Sequence, residues 1–143
     1  MRSMMQFKAM VISNTEISPG YFRLRLTAPR DTAVSRPGQF LMVKVRDATD
    51  PLLRRPFGIF DMATIDSENP EIGRQTCLVI LYKVVGKGTR VLAALHHGDH
   101  LDILGPLGKG FDTSGRGGEK ILVSGGVGLA PLYYLARRLL GNS

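Results

Sequence analysis

The six residues Arg54-Arg55-Pro56-Phe57-Gly58-Ile59 place cations, a rigid proline, a flat ring and a glycine next to one another in a segment that reads as strand. The planar fork of Arg55 can hold two phosphate oxygens at once. Phe57, two positions on, projects to the same side of a strand, so a charge clamp and a flat apolar surface become neighbours. Gly58 lets another ring come close to the main chain. By the same alternation Arg54 points the other way. Such a set suits a nucleotide with an aromatic ring system at one end and a diphosphate in the middle.

A second set lies downstream. The apolar strand pattern that ends at Leu81-Tyr82-Lys83 runs on through Val84-Val85-Gly86-Lys87-Gly88-Thr89. Gly86 and Gly88 free the backbone to approach a ligand, and Thr89 is a good N-cap for a short helix over 89–95. A helix start offers unpaired N–H groups and partial positive charge, which suit a diphosphate. Two further glycine-rich segments follow, Gly105-Pro106-Leu107-Gly108-Lys109-Gly110-Phe111 and Ser124-Gly125-Gly126-Val127-Gly128-Leu129-Ala130-Pro131.

In this order, the motifs Arg-Pro-aromatic-small, Gly-x-Gly-Thr, Gly-Pro-Leu-Gly-x-Gly-Phe and Gly-Gly-x-Gly-x-Ala-Pro resemble the ferredoxin–NADP reductase superfamily. Within it, the likeness is to the electron-transfer subunits of two-subunit, NAD-linked (class 1B) dihydroorotate dehydrogenases. The segments Leu101 to Gly108 and Ala130 to Ala136 favour that branch. The resemblance covers nearly the whole chain and implies FAD as cofactor. Arg55, Pro56, Phe57 and Gly58 match the family's first flavin contact segment, and Leu81, Tyr82 and Lys83 its second. Gly88 and Thr89 match its diphosphate turn. On this reading Phe57 lies against the flavin and Lys83 neutralises phosphate. Tyr82 either edges the cofactor or fills the barrel interior, and the two can hold together. Gly125, Gly126 and Gly128 match the entrance of the family's nicotinamide-nucleotide domain, although Pro131 stands where the Rossmann fingerprint has its third glycine. Gly58 departs from relatives, which commonly carry serine or threonine there.

The resemblance implies an oxidoreductase component of pyrimidine biosynthesis. A catalytic partner subunit oxidises dihydroorotate, and electrons pass through an iron–sulfur centre to FAD here and on to NAD. The family assembles as a heterotetramer. The flavin carries the redox chemistry, so no side chain of this chain is expected to be catalytic. A [2Fe-2S] cluster needs four thiolates and the chain has one cysteine, so that site is expected to be absent. The NAD site is expected to be incomplete, and the fragment alone inactive as a whole enzyme. Two alternatives stay open from the residues. One is an electron-transfer flavoprotein subunit of another NAD(P)-linked oxidoreductase, of hydrogenase or transhydrogenase type. The other is a basic barrel that binds single-stranded nucleic acid.

Composition bears on these classes. The formal net charge is +7, from 19 Lys and Arg against 12 Asp and Glu. Basic residues are scattered, with short pairs at Arg54-Arg55 and Arg137-Arg138, so no nucleic-acid partner is expected. Aromatic content of 7% without tryptophan argues the same way, because single-strand binding relies on stacked rings. Cys77, alone in an apolar strand pattern, reads as a small buried residue. No segment reaches membrane-spanning length and the start lacks the apolar core of a signal peptide, so a cytoplasmic protein with no membrane partner is expected. His96, His97, Asp99 and His100 read as a helix end leading through a turn into a strand, and no metal site is expected.

The elements that must hold these groups follow from the two-residue alternation, clearest in Phe22, Leu24 and Leu26 against Arg23 and Arg25. Strands are expected over 7–16, around 22–26, and over 39–45, 56–64, 75–85 and 100–104, with a hairpin loop at 66–74. The fold class is mainly β, a six-stranded antiparallel Greek-key barrel, because closure removes exposed edges. Domain 1–117 is the FAD-binding barrel. Domain 118–143 is the incomplete start of an α/β nucleotide-binding domain. There, Lys120 to Val123 is the first strand and Pro131 the first helical position. Leu132, Leu135, Ala136 and Leu139 form the apolar face, and Gly141 is the C′ residue. Weak order is expected after about Gly117, because a lone parallel strand has no neighbour.

Overall fold

Alternating apolar and polar residues become six strands: β1 (Met5–Ser18), β2 (Tyr21–Ala28), β3 (Phe40–Lys44), β4 (Arg55–Asp66), β5 (Arg74–Lys83) and β6 (His100–Leu107). The computed structural model describes residues 5–45, 53–66, 73–114 and 118–141. The interior of the expected hairpin loop lies outside them. Helix α1 (Lys87–Ala93) joins β5 to β6, and helix α2 (Leu129–Leu139) follows the barrel.

The strands close in the order β1-β2-β5-β4-β3-β6, all antiparallel, which is the expected Greek-key barrel. β1 starts earlier than its alternation suggested and serves two neighbours. Met5 to Met10 pair with β6, and Val11 to Ser18 with β2. A register shift between Val11 and Ser13 turns the strand from one partner to the other. The inward residues Val11, Leu24, Leu26, Val43, Ile80 and Ile103 are fully buried, and Leu92 of α1 caps the core at one end.

Downstream of the barrel the structure differs from expectation. No strand forms over 120–123. Ile121 and Val123 are 84% and 83% exposed, because the barrel is closed and offers these residues no edge to pair with. α2 nevertheless packs on the outer face of β4. The Tyr134 hydroxyl donates to the Ser35 carbonyl at 3.0 Å, the Tyr133 ring stacks on Phe60 at 4.4 Å, and Arg137 pairs with Asp61. The buried face is Ala130, Tyr134 and Leu135; Leu135 lies there as expected, whereas Leu132, Ala136 and Leu139 are only half-buried. Pro131 is the third helical residue rather than the first, a first-turn position that needs no intrahelical donor. Gly141 does sit in the left-handed region at φ 75°, as a C′ residue should.

Candidate functional site

The barrel opens where β4 and β5 part. These strands pair only from Ile59↔Ile80 onward. Before that point Arg55 to Gly58 pair with β3 alone, and Leu81 to Lys83 with β2 alone. The splay leaves a cleft of about 650 Å³ between them, floored by α1 and flanked by the start of α2. Its lining is mostly apolar and includes Arg55, Pro56, Phe57, Gly58, Leu81, Tyr82, Lys83, Gly88, Thr89 and Gly128. Ten of the twelve residues singled out in the sequence therefore surround one space. Gly125 and Gly126 are exposed and do not line it, whereas Val85, Val127, Ala130 and Pro131 do. The last two belong to the quoted Gly-Gly-x-Gly-x-Ala-Pro motif but were not singled out, because a proline and an alanine carry no chemical signature.

Arg55 lies across Gly88. A Cβ on Gly88 would stand 2.1 Å from Arg55 Nε and 2.4 Å from Cζ, so glycine is what lets the guanidinium rest on the helix start. One Arg55 amino group donates to the Leu53 carbonyl at 2.7 Å, which aims the fork along the cleft wall. Arg54 points away, as strand alternation requires. Its guanidinium binds the Asp102 carboxylate at 2.8 Å and the Asp102 carbonyl at 2.9 Å on β6.

The glycine turn is built differently from expectation. Helix α1 starts at Lys87, its N-cap is Gly86, and Thr89 is its third residue. The Thr89 hydroxyl accepts the N–H groups of Val85 (2.9 Å) and Gly86 (3.0 Å) and donates to the Gly86 carbonyl. Thr89 thus ties the turn to the helix from inside. The amides of Gly88 and Thr89 belong to the first turn, where no carbonyl four residues back can take them.

Tyr82 resolves toward the interior. It is 2% exposed, stacks on Phe22 with centroids 5.5 Å apart, and meets Phe57 edge-on at 6.0 Å. Its hydroxyl donates to Asn14 Oδ1 at 3.1 Å, and burial pushes its pKa up to about 12. The Asn14 amide donates in turn to the carbonyls of Leu92 and Leu95 at the end of α1. Tyr82 therefore backs Phe57 and, through Asn14, fixes the helix that carries Gly88. Asn14 was not foreseen, since a single asparagine in a polar stretch of strand gives no signal. Lys83 is exposed, with its ammonium 5.3 Å from the Tyr21 ring centroid at the cleft edge.

A Cβ on Gly58 would meet only Pro131 Cδ at 3.7 Å, an ordinary contact, so space does not force glycine there. In the histidine segment, the Asp99 carboxylate accepts the His96 N–H at 2.8 Å, and the His97 ring bonds the Ile12 carbonyl at 3.0 Å. Among the described residues no three metal-ligating side chains cluster, and no helix is long and apolar enough to cross a membrane. Cys77 is buried, and burial raises its thiol pKa.

Comparison with known proteins gives this geometry a context. Residues 8–111 match the family described as the oxidoreductase FAD-binding domain. The chain is 41% identical over 139 residues to a dihydroorotate dehydrogenase B (NAD(+)) electron transfer subunit of Shouchella clausii, covering 96% of this chain and 50% of that one. It is 40% identical over 131 residues to the subunit of the same name from Geobacillus thermodenitrificans, covering 90% and 48%. The chain thus spans about half the length of the curated relatives it matches. Among solved structures, an NADH-dependent reduced ferredoxin–NADP oxidoreductase superposes with a TM-score of 0.75 at 30% identity, over 94% of this chain and 44% of that one. An Amycolatopsis cytochrome P450 reductase shares the fold with a TM-score of 0.75 at 24% identity, over 97% and 40%.

Proposed function

This chain belongs to the ferredoxin reductase-like family of FAD-binding oxidoreductase domains, and from that premise we propose that it is the flavin-holding half of the electron-transfer subunit of an NAD-linked dihydroorotate dehydrogenase. Its partner would be a dihydroorotate-oxidising subunit, in the family's heterotetramer and in the cytoplasm. In this reading residues 1–117 belong to the FAD domain and 118–143 to the nucleotide-binding domain.

The observation that carries this reading is the convergence of Arg55, Phe57 and the Gly88–Thr89 turn on one cleft. That cleft fits FAD. Its long apolar wall suits a ring system, its cation sits beside a helix start, and the parted strands β4 and β5 leave main-chain groups facing the opening. In the proposed site Arg55 binds the diphosphate together with the Gly88 and Thr89 amides, and Lys83 adds positive charge at the edge. Phe57, braced by Tyr82, sets the plane of the ring and keeps water from one side of it. Pro131 and Gly128 hold the facing wall. The flavin, when bound, supplies the redox chemistry by accepting and releasing electrons. A [2Fe-2S] cluster does not fit here, since the single cysteine is buried on a strand.

Titration of free FAD with the purified chain tests the reading. The expected result is a yellow protein with saturable, one-to-one quenching of flavin emission. Flavin emission that stays unchanged up to saturating protein would overturn it.

A further inference from the structure

The motif Gly105 to Phe111 does not line the flavin cleft. Its second half builds a separate cavity of about 560 Å³ with mainly polar walls. Three cations line it from three segments: Arg36 before β3, Lys109 in the motif, and Arg138 in the last turn of α2. None of the three has a salt-bridge partner among the described residues. The one carboxylate in the wall, Asp112, is engaged within its own loop. Its Oδ1 accepts the Ser114 N–H at 2.9 Å and the Ser114 hydroxyl at 2.6 Å, and these bonds, with a smaller contribution from the Arg36 charge, keep the carboxyl below its ordinary pKa.

The walls are fastened before any ligand arrives. The Phe111 N–H donates to the Pro37 carbonyl at 2.7 Å. Gln39, buried, donates to the Gly108 carbonyl at 2.8 Å and accepts the Arg36 N–H at 2.7 Å. A Cβ on Gly110 would stand 2.8 Å from both Arg36 Cβ and the Pro37 carbonyl, and one on Gly38 would stand 2.9 Å from the Phe111 ring. Both glycines also have positive φ, so this seam accepts nothing larger. Three cations facing one carboxylate on a polar concavity leave a net positive charge, and with hydroxyls and a partly exposed ring beside them they form a receptor for a compact anion.

We propose that this cavity binds the phosphate group of a small phosphorylated molecule, at a site apart from the flavin cleft. Arg36, Lys109 and Arg138 hold the phosphate, and Thr113, Ser114 and Phe111 contact the organic part. The two sites lie toward opposite ends of α2, Pro131 facing one and Arg138 the other, roughly 10 Å apart along the helix axis at 1.5 Å per residue.

Amide chemical shifts of the whole chain, saturated with FAD, should be followed while inorganic phosphate or ribose 5-phosphate is added at constant ionic strength. Saturable shifts are expected at Lys109 to Ser114, with ribose 5-phosphate acting at concentrations at least fivefold lower than phosphate. Arg138→Gln and Lys109→Gln, both at exposed positions, should each weaken the response about tenfold while FAD binding stays unchanged. Shifts that never saturate, or that survive both substitutions, would overturn the site. Equal apparent affinity for the two probes would overturn the assignment of an organic phosphate. Because the readout uses amides remote from the flavin cleft, a chain that fails to bind FAD can be titrated in the same way.

Discussion

The two walls of the proposed flavin cleft are held in different ways. The barrel wall, Arg55 to Gly58 and Leu81 to Lys83, continues paired strands whose inward residues are buried, and α1 is tied to it through Asn14 and Tyr82. The facing wall, Val127 to Pro131, depends on α2, which rests on the barrel through one ring stack and one ion pair to β4 and one tyrosine hydroxyl bonded to Ser35. Residues 118–129 leading into it are exposed throughout. A closed sheet fixes a wall by many backbone bonds at once, whereas a docked helix depends on a few side chains. Binding affinity should therefore reside in the barrel wall, while the α2 wall sets access to the bound ring.

The largest effect should come from the barrel wall. Arg55→Ala is expected to weaken FAD binding by about 2–4 kcal/mol, the scale for removing one partner of a buried charge pair. Emission titration of the folded variant checks it, and an unchanged affinity would break the asymmetry between the walls.

Tyr82→Phe comes next. It leaves Asn14 Oδ1 without its donor and should cost about 1–2 kcal/mol of global stability, read by denaturant unfolding. The same residue predicts a pH dependence. Its native pKa is raised to about 12 from an ordinary value of 10.0, so the folded chain keeps a proton that the unfolded chain releases. The stability linked to this proton is fully present below pH 10 and is lost as pH climbs from 10 to about 12. Alkaline unfolding that is identical in wild type and Tyr82→Phe would contradict this.

What the sequence revealed follows the same division. The barrel was legible because alternation is a local signal and four motifs fell in register. That these residues would share one cleft was legible because arginine, aromatic and glycine residues have few other reasons to adjoin. Less visible were contacts that join distant segments, such as Asn14 reaching α1, Arg55 lying on Gly88, and Tyr134 reaching Ser35. The expected strand at 120–123 rested on an apolar run alone, which says nothing about whether an edge is available to pair with. Thr89 was read as an N-cap because a hydroxyl beside a helix start is ambiguous between capping and closing the turn behind it.

On the α2 wall, Tyr134→Phe removes the bond to Ser35 and should cost about 1 kcal/mol. Hydrogen exchange should place that loss in α2 and leave the barrel amides nearly unchanged. Equal loss across the barrel would show that the walls are one cooperative unit. The smallest effect is expected for Gly58→Ala, whose new Cβ meets Pro131 at ordinary contact distance. FAD affinity and stability should each stay within about 0.5 kcal/mol, as for substitutions that create no clash.

The most direct test is an amide chemical-shift map of the chain with and without one equivalent of FAD. The account predicts that the largest changes fall on Phe57, Gly58, Leu81, Tyr82, Gly88 and Thr89, and saturate at one-to-one stoichiometry. Saturable changes centred elsewhere, or changes at Arg55 and Phe57 without any at Gly88 and Thr89, would contradict it.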